Sequence, residues 1–270
     1  MLIQNFTVKL LENVVLSQRA ATVGGHASLD YLPGASFLGA TAASLYKELS
    51  QADAYTVFFS GKVRFGNAFP LSQNNRLSYP MPLCWHERKT GDKAIQDNKL
   101  VQKHVLNYIH EKFPLDVQPV QLRTGYIAKD GSVTRITTEF KMKTAINSKT
   151  GRASEGQLFG YSSIPKGMNF GFKLEADQDV SQALFQKVIN HLTGNLAIGR
   201  SRSAEYGNVK VTTDSTWFED HQDKEVKKKE ITIWLLSDLA LLDEFGQSTL
   251  LPTTQHFGLP QGNLILEKCF

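Results

Sequence analysis

The stretch "VSQALFQKVINHLTGNLAIGRSRSAEYGNVKVTT", residues 180–213, decides the fold. Val180, Leu184, Val188 and Leu192 recur at every fourth position with Ala183 and Ile189 beside them. That spacing makes one apolar face of a helix, and Gly194 is placed to close it as the C′ residue. The segment "YGNVKVTT" reads as a strand, with Val209 and Val211 alternating against polar neighbours. Between helix and strand lies a glycine-rich loop carrying Arg200 and Arg202. A helix with one apolar face followed at once by a strand needs a sheet on which both can pack.

The rest of the chain supplies that sheet. Residues 2–11 alternate at Phe6, Val8 and Leu10 and read as a half-buried strand. Breakers in "GGHASLDYLPGAS" precede a helical pattern over 37–49, with Ser36 as its expected N-cap. Residues 55–64, "YTVFFSGKVR", read as strand. Over 66–119 the pattern weakens, punctuated by Pro70, Pro80, Pro82, Pro114 and Pro119, with one expected helix at 98–112. "VQLRTGYIA" and "VTRITTEFKMKTAI" flank Lys129-Asp130-Gly131, a short hairpin signal. Strands near 155–162 and 168–175 follow. Beyond the charged connector "EDHQDKEVKKKE", the segment "EITIWLLSDL" also reads as strand, and Phe58, Phe59 and Trp234 read as core. This order predicts an α+β fold with a ferredoxin-like or RRM-like βαββαβ core, a glycine-rich loop and insertions. The expected division is a core of 1–65 and 120–245, an insertion or elaborated edge at 66–119, and a C-terminal extension at 246–270.

Composition narrows function by exclusion. The 270 residues are 41% hydrophobic, enough for a core, and 30 Lys+Arg against 26 Asp+Glu give a net charge of +4. That permits a nucleic-acid partner without demanding one. Cys84 and Cys269 match neither a metal-ligand spacing nor a disulfide framework, which fits a reducing compartment. The opening "MLIQNFTVKLL" lacks a basic stretch followed by a long apolar run, so a cytoplasmic chain without membrane contact is expected. A nucleophile elbow, a Walker A loop, a Rossmann fingerprint and HExxH are all absent. The histidines, at 26, 86, 104, 110, 191, 221 and 256, show no ligand spacing, so neither metal nor cofactor is expected. His26 stands apart, between a glycine pair and a helix, where an imidazole can act on RNA as general acid or base.

The loop itself allows two readings. Glycine lets backbone approach a phosphodiester chain, the hydroxyls of Ser201 and Ser203 can bond it, Arg200 and Arg202 can bond phosphate bidentately, and Tyr206 can stack on a base. Alternatively it is a turn whose arginines form surface ion pairs and whose tyrosine packs in the core. Arg19, Lys62, Arg64 and Arg123 lie on strands or loop edges near the expected binding face, with a plain surface role equally open. Trp85 to Lys89, in the insertion, is a further candidate for contact with RNA or a neighbouring subunit.

Longer motifs carry a resemblance. "LDYLPGASFLGATAASLY" resembles the "IPGSSLKG" segment opening the first helix of the RAMP superfamily, the RNA-binding subunits of CRISPR effector complexes. "VRFGNAFP" resembles its "FGDAxP" stretch, and "INSKTGRASEGQLFGYSSIPKGMNFGF" its "IDRxTGRAxEGxLFxxExIxxGxxF" pattern. The loop resembles the glycine-rich segment after the second helix. These four motifs fall in the right order over residues 25–215, and the combination with "GRSRSAEYG" and "WLLSDLALLDEFG" looks most like type III-D subunits that cap the 5′ handle of the guide. The resemblance implies a ferredoxin-like core within a multi-subunit crRNA-guided ribonucleoprotein. Its partners would be crRNA, a large subunit and RAMP backbone subunits, and, indirectly, target RNA. Gly34, Ser36 and Gly39 fall on the helix-opening motif, and Arg200, Ser201, Arg202, Tyr206 and Gly207 on the glycine-rich loop; both would touch the crRNA backbone. "FLGAT" lacks the cation of "SSLKG". The first loop offers only Asp30 where target-cutting subunits carry an earlier acid, so a non-catalytic role is expected. Metal-dependent target cleavage through Asp30, or metal-independent repeat processing through His26, are the alternatives. Type III-D members carry a second RAMP-like portion, which another subunit is expected to supply.

Overall fold

A computed structural model describes residues 1–18, 25–26, 28–109, 112, 117–146, 153–202, 205–213, 216–217, 232–258, 265 and 268. In chain order its elements begin with β1 (Leu2–Leu10), β2 (Gly25–His26), α1 (Gly34–Leu45), α2 (Gln51–Phe58), β3 (Val63–Phe65), β4 (Phe69–Pro70) and β5 (Ser78–Pro80). Short strands follow: β6 (Trp85–Arg88), β7 (Ile95–Gln96), β8 (Lys99–Leu100), β9 (Leu106–Asn107), β10 (Pro119–Gln121), β11 (Tyr126–Ala128) and β12 (Val133–Thr134). The last elements are β13 (Glu139–Ile146), β14 (Ala153–Ser163), β15 (Asn169–Ala176), α3 (Gln182–Leu192), β16 (Gly194–Ala197), β17 (Asn208–Thr212), β18 (Leu241–Leu242) and β19 (Ser248–Thr249). The fold is α+β and mostly sheet. It divides into one unit of Met1–Tyr79 with Gly125–His221, and another of Pro80–Thr124 with Gln222–Phe270.

The first unit is built on a sheet in the order β16-β17-β1-β15-β3, with β4 also pairing β15, every neighbour antiparallel. Phe6, Val8 and Leu10 of β1 point to one face, as their alternation predicts, and meet Phe170, Phe172 and Leu174 of β15 and Val209 and Val211 of β17. α1 and α3 cover this face with Phe37, Leu45, Leu184, Phe185, Val188, Ile189 and Leu192. The Phe172 ring stacks between Phe37, at 4.2 Å, and Phe6, at 4.9 Å. Each such buried side chain contributes about 1.5–3 kcal/mol. β13 and β14 form a long hairpin, with β2 running parallel to β14. β11 and β12 form the expected hairpin around Gly131, whose φ of +79° suits the turn.

α3 matches its periodicity and is capped by Ser181, whose hydroxyl accepts the Leu184 N–H at 3.2 Å. α1 differs from expectation. It begins at Gly34 rather than after Ser36, because Pro33 stands as N-cap with φ −64° and its carbonyl takes the Ser36 N–H at 2.9 Å. The expected strand over 55–64 is instead mostly α2, with only Val63–Phe65 extended. Ser50 explains it: its hydroxyl accepts the Asp53 N–H at 3.1 Å and donates to the Asp53 carboxylate at 2.8 Å, an N-terminal cap that outweighs the strand propensity of "YTVFF". Phe58 packs against the core, whereas Phe59 is 65% exposed.

In the second unit, β6 lies between β10 and β9, and β7–β8 and β18–β19 are separate hairpins. No helix forms over 98–109. Val101, Val105 and Ile109 have helical spacing, but they are β-branched and half-buried at most, and no side chain caps the single 3-10 turn at Gln102–His104. Nor do residues 232–240 form a strand, and Trp234, expected in the core, is 43% exposed. Among the described residues, no helix is long and apolar enough to cross a membrane.

Candidate nucleic-acid interface

The helix-opening stretch and "VRFGNAFP" make a single joint. Leu32 and Ala68 exchange backbone hydrogen bonds at 3.1 and 2.8 Å, and the Gly34 N–H donates to the Asn67 side-chain carbonyl at 2.9 Å. A Cβ on Gly34 would lie 1.9 Å from the Phe65 carbonyl oxygen, so only glycine lets the helix start press on this strand. Ser36 is half-buried in the first turn, and Gly39 is exposed with nothing within 4 Å of an added Cβ.

The glycine-rich loop caps the β16–β17 hairpin. Its neck closes through Ile198 N–H to the Gly207 carbonyl at 2.9 Å. It then lies down on the segment after β1, with Gly207 N–H donating to the Asn13 carbonyl and Arg200 N–H to the Val15 carbonyl, both at 2.9 Å. Gly199, at φ +80°, would put a Cβ 2.4 Å from the Val15 oxygen, and Gly207, at φ +91°, would put one 2.3 Å from the Ile198 oxygen. These two glycines fix the loop's course. Ser201 occupies the left-handed region at φ +53°, and the side chains of Arg200 and Arg202 are exposed on either side of it. Tyr206 corrects one expectation. It is 2% exposed and meets Tyr161 edge-on at 6.2 Å, so its ring face belongs to the interior and offers a base no platform.

The residues after β1 also reach the approach to α1. Leu29 N–H donates to the Leu16 carbonyl at 2.7 Å, Leu16 N–H to the Ser28 hydroxyl at 3.1 Å, and Val14 bridges Ile164. The loop and the helix-opening segment are thereby tied to one strip of chain. Asn13 is the hub of that strip. Its amide donates to Glu139 at 2.8 Å and Ser163 at 3.3 Å, and its side-chain oxygen accepts the Lys166 N–H at 3.0 Å. Asn13 lies in no quoted motif, and Asn67 lies within "VRFGNAFP", but the value of either asparagine as a joint appears only when the chain has folded around it.

The remaining candidates are placed differently. One Asp30 oxygen accepts the Tyr126 hydroxyl at 2.7 Å, and burial, then this bond, raises the Tyr126 pKa well above the usual phenol range. The backbone of His26, in β2, pairs with Tyr161 of β14; its side chain, Arg19 and Ser203 lie outside the described residues. Arg64 faces Asp177 at 2.7 Å and Glu175 at 3.7 Å, and Lys62 pairs with Asp179. In the second unit, Arg123 donates to Gln121 at 2.7 Å, and Glu87 holds Lys93 and the Ala94 N–H, each at 2.9 Å. No cluster of three His, Cys, Asp or Glu able to hold a metal occurs among the described residues.

Comparison with known proteins gives the family. No curated protein matches the sequence. Among solved structures, the chain is similar to a chain of the type III-B Cmr-beta complex bound to cognate target RNA, at 10% identity and TM-score 0.46, covering 78% of this chain and 96% of that one. It is similar to a chain of a type IV-B CRISPR complex at 12% identity and TM-score 0.43, covering 83% and 96%. Oligomeric Cmr4 from Pyrococcus furiosus gives 12% identity and TM-score 0.38, covering 78% and 97%. The model of the RAMP superfamily matches residues 21–210, from before the helix-opening joint to the strand after the glycine-rich loop, and the chain belongs to that superfamily.

Proposed function

We propose that this chain is a non-catalytic RNA-binding subunit of a cytoplasmic CRISPR RNA-guided effector complex, holding the crRNA backbone near its 5′ handle as type III-D subunits do. The observation that carries this is the glycine-rich loop, bonded to the backbone of Asn13 and Val15 and carrying two exposed arginines, Arg200 and Arg202. Two guanidiniums on a fixed loop suit phosphate, and phosphate contact is how a protein holds guides whose sequences vary. The core is read as ferredoxin-like. Counting β1, β3, β15 and β17 as first to fourth, the sheet runs fourth, first, third, second, with α1 following the first strand and α3 the third. The subunits beside it would be a large subunit and RAMP backbone subunits, with target RNA reached through the guide.

The test is co-purification of the tagged chain with sequencing of bound RNA, for wild type and Arg200→Ala/Arg202→Ala. Wild type is expected to bring down crRNAs sharing one 5′ end, and the double variant to lose them. Recovery of no small RNA at low salt would sink the proposal. Cleavage is a separate outcome: magnesium-dependent cutting of complementary RNA lost in Asp30→Asn, or metal-free repeat processing lost in His26→Ala, would overturn the non-catalytic assignment.

A further inference from the structure

We propose that the helix-free face of the central sheet carries a second contact for the same single-stranded RNA, a polar row of Asn195, Lys210, Lys9 and Asn169 running across four strands. The row rests on the RNA reading above and extends it. Its members follow from register: Asn195 of β16 stands opposite Lys210 of β17, Lys210 opposite Lys9 of β1, and Lys9 opposite Asn169 of β15. Their neighbours Leu196, Val209, Val211, Val8, Leu10 and Phe170 turn to the helix-covered core, so alternation sends all four to the other face. All four are exposed.

Two features point to an anionic ligand. Lysines directly opposite across an antiparallel pair repel and destabilise the sheet, where a Lys–Glu pair would help it. Neither Lys9 nor Lys210 has an ion-pair partner among the described residues, and no acid stands in the row. A bound phosphate offsets the repulsion, and the flanking amides can bond sugar hydroxyls, phosphate oxygens or base edges.

The surroundings give the strip its direction. On one side the indole N–H of Trp217 donates to the Thr7 hydroxyl at 3.0 Å, and its ring lies over Gly171 with Leu71 and Leu77, closing the sheet centre to bases. On the other side lies Gly207 and the loop of Arg200 and Arg202. Lys210 is three residues along the strand from Gly207, or about 10 Å. A backbone leaving the loop thus meets the lysine row next.

The test is fluorescence anisotropy on the full chain with a single-stranded oligouridylate of about 12 nucleotides, across a salt series. It compares wild type, Lys9→Gln/Lys210→Gln, Lys9→Arg/Lys210→Arg and Arg200→Ala/Arg202→Ala. The glutamine pair is expected to weaken binding about 10-fold at low salt and to flatten the log K against log salt slope by about 1.4, the share of two lost phosphate contacts on a single strand. The arginine pair should bind like wild type. Thermal stability of the glutamine pair should rise, because the repulsion is gone. Unchanged affinity and slope in the glutamine pair, with binding lost in the loop variant, would overturn the row and leave the loop reading standing. A wild type that fails to bind the probe overturns both.

Discussion

Gly34 and Gly39 stand in one helix, yet an added methyl meets opposite surroundings at each. At Gly34 it would strike the Phe65 carbonyl at 1.9 Å, a backbone atom held by the sheet, so Gly34→Ala is expected to cost about 3 kcal/mol. At Gly39 it meets open space in a helix interior, and Gly39→Ala is expected to stabilise by about 0.5–1 kcal/mol. Urea denaturation of both variants measures the pair of signs; a neutral Gly34→Ala would mean that the helix start yields where the geometry says it cannot. RNA affinity of Gly39→Ala adds a second readout. Affinity that falls while stability rises marks Gly39 as a place where backbone must lie bare to the ligand. Residue identity alone does not separate these glycines, since both sit in one motif and only the packing of α1 on β3 distinguishes them.

α3 is legible because its apolar face repeats without interruption and Ser181 and Gly194 mark its ends. α2 is not, because five residues of strand-prone "YTVFF" hide a cap that lies upstream, at Ser50 and Asp53. If that cap decides between helix and strand, Ser50→Ala should lower stability by about 1 kcal/mol, measured by denaturant unfolding, and no loss would show that packing of Ala54 and Val57 suffices. The region 98–109 misleads in the other direction, offering helical spacing without caps or a deep face to bury. The β16–β17 hairpin was half legible. Its glycines and arginines announce a backbone-hugging loop, but whether Tyr206 faces in or out depends on Tyr161, a residue on a different hairpin.

At the scale of the molecule, the candidate site unites segments that the sequence keeps apart: 13–17, 28–36, 65–68, 198–202 and 205–207. Their order along the chain was readable, whereas the joining roles of Asn13 and Asn67 were not, because joints belong to topology. The same topology constrains how the protein is made. β1 leads the chain, yet both of its sheet partners, β15 and β17, lie beyond residue 168. During synthesis the apolar face of Phe6, Val8 and Leu10 must wait, unpaired, until β15 and β17 have been translated, and pairing so remote in sequence is intrinsically slow. Nascent chains arrested before β17 emerges should therefore be open to protease throughout the first unit, and those arrested well after residue 213 resistant. Protection appearing before β15 is out would mean that the N-terminal strand finds shelter elsewhere. Otherwise the surface built from the segments after β1, before α1 and before β17 is complete only after β17 has been translated, and a fragment arrested earlier is expected not to capture RNA.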